Sequence, residues 1–164
     1  MIWGCFVGDK LGPIAFISGS VTQDAYISLL QQYLDPFVEA LGADGETNVE
    51  FQQDNARPHT AQKTRGFLEA LARKHVLTLT DWLANSPNLS PIENLWVHLK
   101  HKLHERYPDT TTLKGSPETI KAVLRERLHK IWWTIEEKVL NDLVASMPRR
   151  VEEVIAARGR YTSH

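Results

Sequence analysis

Apolar residues fall in two distinct rhythms along the chain. Residues 2–8 (IWGCFVG) and 13–18 (PIAFIS) are short, apolar and aromatic, with Gly8-Asp9-Lys10-Leu11-Gly12 between them as turn chemistry, so they predict a β-hairpin. Residues 22–41 then place Ala25, Tyr26, Leu29, Leu30, Tyr33, Leu34, Phe37, Val38 and Leu41 at spacings of three and four. That spacing is one helical face, with a bend expected at Pro36. Val49-Glu50-Phe51-Gln52-Gln53-Asp54 predicts a strand, 59–73 a helix buried through Thr64, Phe67, Leu68 and Leu71, and Val76-Leu77-Thr78-Leu79 a second strand. Strand, helix and strand of these lengths make a βαβ unit with a parallel pair.

A loop with Pro87 and Pro91 leads to a helix over 91–106 whose apolar face is Ile92, Leu95, Trp96, Leu99 and Leu103. Residues 107–116 read as a linker of Pro, Thr and Gly. Three helices follow, over 117–132, 134–146 and 148–158. The pattern defines an α/β fold, a mixed sheet flanked by helices with a helical C-terminal extension. Residues 1–106 form the core portion and 107–164 the extension of the same domain.

Composition narrows the class. At 42% hydrophobic residues the 164-residue chain can bury a core of one domain. No run of about 18 apolar residues is present, so no membrane partner is expected. Met1 leads directly into the first strand with no basic segment, unlike a signal peptide. Cys5 is the only cysteine, which excludes an intramolecular disulfide and fits a reducing compartment. The net charge of −1 lacks the basic excess that drives stand-alone duplex binding, so any DNA role relies on a local patch or on another domain.

Two acids stand out by position. Asp54 ends a strand that leads into a helix, and in open α/β sheets that end gathers active sites. Glu93 lies in the first turn of the helix over 91–106. Carboxylates converging on one sheet edge can hold Mg²⁺ or Mn²⁺, hard ions that prefer oxygen. Each acid also has a plainer role. Ser90-Pro91-Ile92-Glu93 has the spacing of a capping box, which by itself favours a structural cap over ligation. Asp54 alone could equally cap the following helix.

The wording around these acids resembles the Tc/mariner-type DDE transposases. Phe51-Gln52-Gln53-Asp54-Asn55-Ala56-Arg57-Pro58-His59-Thr60-Ala61 is similar to the second-aspartate motif of that family, and the stretch from Trp82 to Trp96 (WLANSPNLSPIENLW) to its third-acid motif. Ile2-Trp3-Gly4-Cys5 resembles the strand after its first aspartate, and Ser146-Met147-Pro148-Arg149-Arg150-Val151 its closing helical motif. The four occur in the family's order over nearly the whole chain.

The resemblance implies a ribonuclease-H-like fold and an Asp-Asp-Glu triad in which Asp54 and Glu93 are the second and third acids, catalytic and metal-ligating, with Mg²⁺ or Mn²⁺ as cofactor. It places Asn55 and His59 beside the metal, where helix-start hydrogen bonding is an equal reading. Arg57, Arg149 and Arg150 are candidate DNA contacts; for Arg149 and Arg150, with Arg158 and Arg160, an exposed basic helix end favourable to the helix dipole is an equal reading. Transposon-end DNA, a second copy or a full-length transposase are the implied partners, and the nucleus the implied location.

The chain departs from the family pattern in several ways. The family's first aspartate precedes the Trp-Gly-Cys strand, so the first strand and its acid are expected to be missing from residues 1–164, and cleavage by them alone to be negligible. Neither Asp9, in the hairpin turn, nor Asp24, opening a helix, substitutes for it. With that strand gone, either an altered pairing or poor stability is expected, because edges would be left open. Between Asp54 and Glu93 lie 38 residues. That is about four more than the usual family spacing, close to one helical turn of about 3.6 residues. Asn88 and Ser90 stand where the family commonly has Asp and Asn. The family's DNA-reading helix-turn-helix modules are likewise expected to be missing from residues 1–164.

A non-catalytic module that binds nucleic acid or transposase is the alternative. A hydrolase of small phosphate esters is disfavoured, because no Gly-rich phosphate loop is present. His98, His101 and His104 are expected on a solvated helix face, and at least one of Trp132 and Trp133 in the core.

Overall fold

The computed structural model describes residues 1–75, 77–80 and 89–157. Val76, the stretch 81–88 (which holds Trp82, Pro87 and Asn88) and the terminal Arg158 and Arg160 lie outside the described residues. Contacts divide the chain into two compact units, the first Met1–Cys5 with Gly12–Asn85 and the second Phe6–Leu11 with Ser86–His164.

The chain opens with the expected hairpin, β1 (Ile2–Val7) and β2 (Lys10–Phe16). Gly8 takes a left-handed φ of 54° at the first position of a two-residue turn, the position where tight hairpins demand glycine. At the open end Met1 and Ile17 exchange backbone bonds of 2.9 Å in both directions. Gly12 is required for a different reason. A Cβ there would lie 2.5 Å from Cys5 Sγ and 2.8 Å from the Cys5 carbonyl oxygen.

The first long helix runs as α1 (Gln23–Leu29), a π-helical turn (Leu30–Leu34) and α2 (Asp35–Ala43). Asp35 N–H reaches back five residues to Leu30 O just before Pro36, which has no N–H to continue the ladder. The predicted bend is thus a widened turn. Its buried face is the predicted one, with Tyr26, Leu29, Leu30, Leu34, Val38 and Leu41 each at most 5% exposed.

β3 (Glu50–Phe51) and β4 (Thr78–Leu79) pair in parallel, Glu50 opposite Thr78 and Phe51 opposite Leu79, as the βαβ reading required. Bonds from Thr78 N to Val49 O and from Thr80 N to Phe51 O, both 3.0 Å, extend the ladder. The helical connection is broken: α3 (Arg57–Thr60) is separated from α4 (Gln62–His75) by Ala61, whose ψ of 141° is extended. Thr64 is fully buried because its hydroxyl donates to Pro58 O (2.7 Å) and ties the two pieces together. The core of this unit joins Ala15, Tyr26, Leu30, Leu34, Val38, Leu68, Leu71 and Leu77. Among the described residues the strands form two two-stranded sheets, and the single mixed sheet expected from the sequence is not formed.

The second unit contains α5 (Pro91–Arg106), α6 (Pro117–Trp132), α7 (Glu137–Ala145) and α8 (Met147–Ala156), close to the predicted bounds. α5 packs on α6 and α7 through buried Leu95, Leu99, Leu103, Leu128, Ile131 and Leu140. Trp132 is wholly buried against Trp96 (ring centroids 5.4 Å), whereas Trp133 is exposed. The expected linker is ordered as a 3₁₀ turn over Pro108–Thr112. Arg127 fixes it by a fork onto Asp109 (3.0 and 2.8 Å) while stacking over the Tyr107 ring at 4.7 Å. No helix among the described residues is long and apolar enough to cross a membrane.

Candidate functional site

Asp54 sits in the turn between β3 and α3, and the local sequence explains its posture. Its Oδ1 accepts the Ala56 N–H (3.0 Å), an Asx turn that reverses the chain at the strand end. Ala56 O then accepts His59 N–H (2.8 Å) and Thr60 N–H (3.1 Å), with Pro58 in the first turn of α3, where a missing N–H costs nothing. This short turn brings the His59 ring back onto Asp54, with Nδ1 2.6 Å from Oδ1. An ionised carboxylate only accepts, so Nδ1–H is the donor. The Asp54 side chain is 67% exposed and the His59 side chain 15%. All bonds to the carboxylate fall on Oδ1, so Oδ2 has no partner among the described residues.

His59 is itself held. Its ring lies 4.1 Å from the Tyr26 ring at 32°, and its backbone carbonyl accepts Gln53 Nε2 (3.4 Å). Tyr26 O–H donates to Gln53 Oε1 at 2.7 Å. Burial pushes the Tyr26 phenol far above its ordinary pKa of 10.0, so it stays a neutral donor. Sequence reading placed Tyr26 on a core face and Gln53 in a strand, and assigned neither to the site. A polar-tipped side chain on an apolar face was the available signal, since buried tyrosine hydroxyls need partners.

Glu93 belongs to the second unit, in the first turn of α5, and is exposed. The capping box is not formed. Ser90 occupies the N-cap, but its side chain makes no capping bond; the Glu93 N–H closes instead on Ser90 O at 3.2 Å. The Glu93 carboxylate has no partner among the described residues, so capping does not consume it. The donor chemistry of Asp54 and Glu93, exposed carboxylates with uncommitted oxygens, fits a hard divalent cation. Among the described residues no group of three or more His, Cys, Asp or Glu is gathered for a metal.

The remaining sequence-marked residues divide by environment. Asn55 and Arg57 are exposed beside Asp54. Arg149 is exposed and pairs with Glu153 one turn on (2.5 Å). Arg150 is instead 7% exposed and donates Nη1 to Asn94 Oδ1 at 2.5 Å, tying α8 to α5 beside Glu93. His101 and His104 are exposed as expected. His98 corrects that reading: its Nε2 is buried with no hydrogen-bond partner among the described residues, and burial, with Lys102 and His101 nearby, lowers its pKa and favours the neutral ring.

Other polar clusters are structural. Asp35 accepts from Lys74 (2.8 Å) and His75 (2.6 Å), which depress its pKa and tie α2 to α4. Asp24 is ion-paired with Lys63 (2.7 Å). Burial pushes the Cys5 thiol up to about 12, so it is no nucleophile. A hollow of about 490 Å³ in the second unit is lined by Lys102, Glu105, Arg106, Tyr107, Lys130, Ile131 and Thr134. Its lysines are answered by Glu126 (2.6 Å from Lys130) and Glu136 (3.9 Å from Lys102), which leaves little excess charge for an anionic ligand.

The fold and the strand-end acid point to one class, and sequence comparison agrees. The DDE superfamily endonuclease family matches residues 7–114, and the chain belongs to it. Within that superfamily it is a Tc/mariner-type transposase domain. It is 33% identical over 164 residues to the Tc1 transposase of Caenorhabditis elegans and 32% identical to the Tcb2 transposase of Caenorhabditis briggsae, in each case over 100% of this chain and 54% of the relative. The chain thus spans about half the length of these curated relatives. It shares the fold of the Mos1 transposase catalytic domain solved with Raltegravir and Mg, with a TM-score of 0.76 and 21% identity over 99% of this chain and 76% of that one. The Mos1 mariner paired-end complex with Mn matches with a TM-score of 0.72 and 21% identity, over 96% of this chain and 43% of that one.

Proposed function

We propose that residues 1–164 are part of a ribonuclease-H-like catalytic core for metal-dependent DNA strand cleavage and transfer in DNA transposition. Residues 1–106 contribute the core portion and 107–164 its helical extension. Asp54 and Glu93 are two carboxylate ligands for Mg²⁺ or Mn²⁺. When bound, such ions supply activation of a water or hydroxyl nucleophile and charge stabilisation at the leaving oxygen. Asn55 and His59 flank the Asp54 ligand, and Arg57 and Arg149 are exposed cations suited to phosphate. Arg150, buried against Asn94, acts by holding the helix that carries Glu93. DNA of transposon ends is the proposed substrate, and the nucleus the proposed site of action.

The observation that carries this reading is the Asp54 carboxylate, fixed through Oδ1 with Oδ2 uncommitted at a strand end, in a chain of this family. Residues 1–164 taken alone offer two of the three acids, since Asp9 lies in the hairpin turn and Asp24 is engaged by Lys63. Their nicking activity should therefore be negligible while Mn²⁺ binding persists. Calorimetric titration with Mn²⁺ checks this: Asp54→Asn and Glu93→Gln should each weaken binding, and no difference from wild type would sink the metal-ligand roles. Metal-dependent nicking by these residues alone, abolished in Asp54→Asn, would overturn the expected inactivity.

A second reading has its own support. α8 exposes Val151 (41%) and Ile155 (71%) one turn apart, an apolar row suited to a protein partner. On this reading the chain is a non-catalytic module that binds nucleic acid, a second copy or a full-length transposase. It predicts that doubly substituted Asp54→Asn/Glu93→Gln protein keeps every binding property of the wild type.

A further inference from the structure

We infer that Tyr26 is a positioning residue for Asp54: through Gln53 and His59, its buried phenol holds the carboxylate in the posture that leaves Oδ2 open to a divalent cation. This rests on the metal-ligand role proposed above for Asp54 and adds the device that prepares it.

Tyr26 is 1% exposed in the core of the first unit, so it is a fixed point. From it two arms reach His59. The hydroxyl binds Gln53 Oε1 (2.7 Å), and the other end of that amide donates to the His59 carbonyl (3.4 Å). The phenol ring meanwhile lies 4.1 Å from the imidazole. Held at both backbone and ring, His59 delivers Nδ1 to Asp54 Oδ1 at 2.6 Å.

The need for such a device follows from the exposure of Asp54. A carboxylate 67% open to solvent on a loop samples several rotamers, and a metal would have to order it on binding. Ordering it beforehand removes that cost and fixes which oxygen faces the ion. The Asx bond from Ala56 alone sets the turn; the His59 bond adds a second point on the same oxygen, which defines the carboxylate plane.

Tyr26→Phe keeps the ring, its burial and its stacking and removes the hydroxyl with its contacts to Gln53 and Trp3; Gln53→Ala removes the amide link and leaves the Tyr26–Trp3 contact in place. Mn²⁺ affinity of the full chain is measured by electron paramagnetic resonance for the wild type, both variants and Asp54→Asn, at a temperature where circular dichroism shows each folded. Side-chain ¹H–¹⁵N spectra follow the His59 Nδ1 proton in parallel. Both variants should weaken Mn²⁺ binding about tenfold and broaden or lose the Nδ1–H signal. If Tyr26→Phe does not fold, Gln53→Ala decides. Unchanged affinity in the folded variants, with loss in Asp54→Asn, would overturn the inference and leave the metal-ligand reading standing. Mn²⁺ binding that is absent from the wild type, or indifferent to Asp54→Asn, would overturn both.

Discussion

His59 Nδ1 lies 2.6 Å from Asp54 Oδ1, and the same oxygen takes the Ala56 N–H at 3.0 Å. Asparagine can keep both bonds through its amide oxygen, whereas alanine keeps neither. Asp54→Asn is therefore expected to unfold with the wild type, and Asp54→Ala to be less stable by about 0.5–1 kcal/mol. Urea unfolding of the three proteins checks the order; equal midpoints for Asp54→Ala and wild type would show that the turn forms without the carboxylate.

Gly12→Ala should be among the most disruptive single changes in the first unit. The added Cβ meets Cys5 Sγ at 2.5 Å and Cys5 O at 2.8 Å, and overpacking of this kind costs about 1–3 kcal/mol. Removing the sulfur in Cys5→Ala/Gly12→Ala should recover only part of the loss, because the carbonyl contact remains. Full recovery in the double variant would place the whole cost on the thiol.

The ionisation of Cys5 sets a pH dependence. Its ordinary pKa of 9.0 applies to the unfolded chain, and burial raises it to about 12 in the fold. Between those values the unfolded chain releases a proton that the folded chain keeps. Stability should therefore be unaffected by this group below pH 9 and decline above it, with a limiting slope of about 1.4 kcal/mol per pH unit. Tyr26, also raised by burial, adds in the same direction above its ordinary 10.0. Unfolding midpoints from pH 8 to 11 for wild type and Cys5→Ala measure the difference, and parallel curves would refute the assignment to Cys5. The native thiol should likewise resist alkylation at pH 8 until the chain unfolds.

Arg149 and Arg150 are neighbours with opposite expected behaviour. Arg150→Ala removes a buried charged donor to Asn94 and should cost about 1.5–3 kcal/mol. Arg149→Ala removes an exposed pair with Glu153 and should cost less than about 0.5 kcal/mol, its effect falling instead on DNA affinity and salt dependence. Equal thermal shifts in the two variants would remove the structural role given to Arg150.

The helices were legible because their apolar positions repeat at three and four. α1 to α2 and α5 buried most of the faces that periodicity marked, and the parallel pairing of β3 with β4 followed from strand, helix and strand. Gly8 was legible as turn chemistry, whereas the strand read over 49–54 ends at Phe51 and Asp54 makes an Asx turn beyond it. Other features were not, because they depend on partners far along the chain. The Arg127–Asp109 fork that orders 108–112 spans 18 residues, and the Arg150–Asn94 bond spans 56. Ser90 had the right spacing for a capping box, yet local backbone geometry gave its place to a carbonyl bond.

What the sequence by itself determined is the set of elements, their buried faces and the two acids that family resemblance singles out. These depend on local spacing and on residue type, which the linear chain carries. Only the tertiary structure decided that Tyr26 and Gln53 stand behind His59, that Arg150 turns inward while Arg149 stays in solvent, and that His98 is half-buried with its Nε2 covered while His101 and His104 are exposed. Hydrogen bonding and desolvation across long sequence separations make those choices, and a polar side chain reveals its role only once its surroundings are fixed.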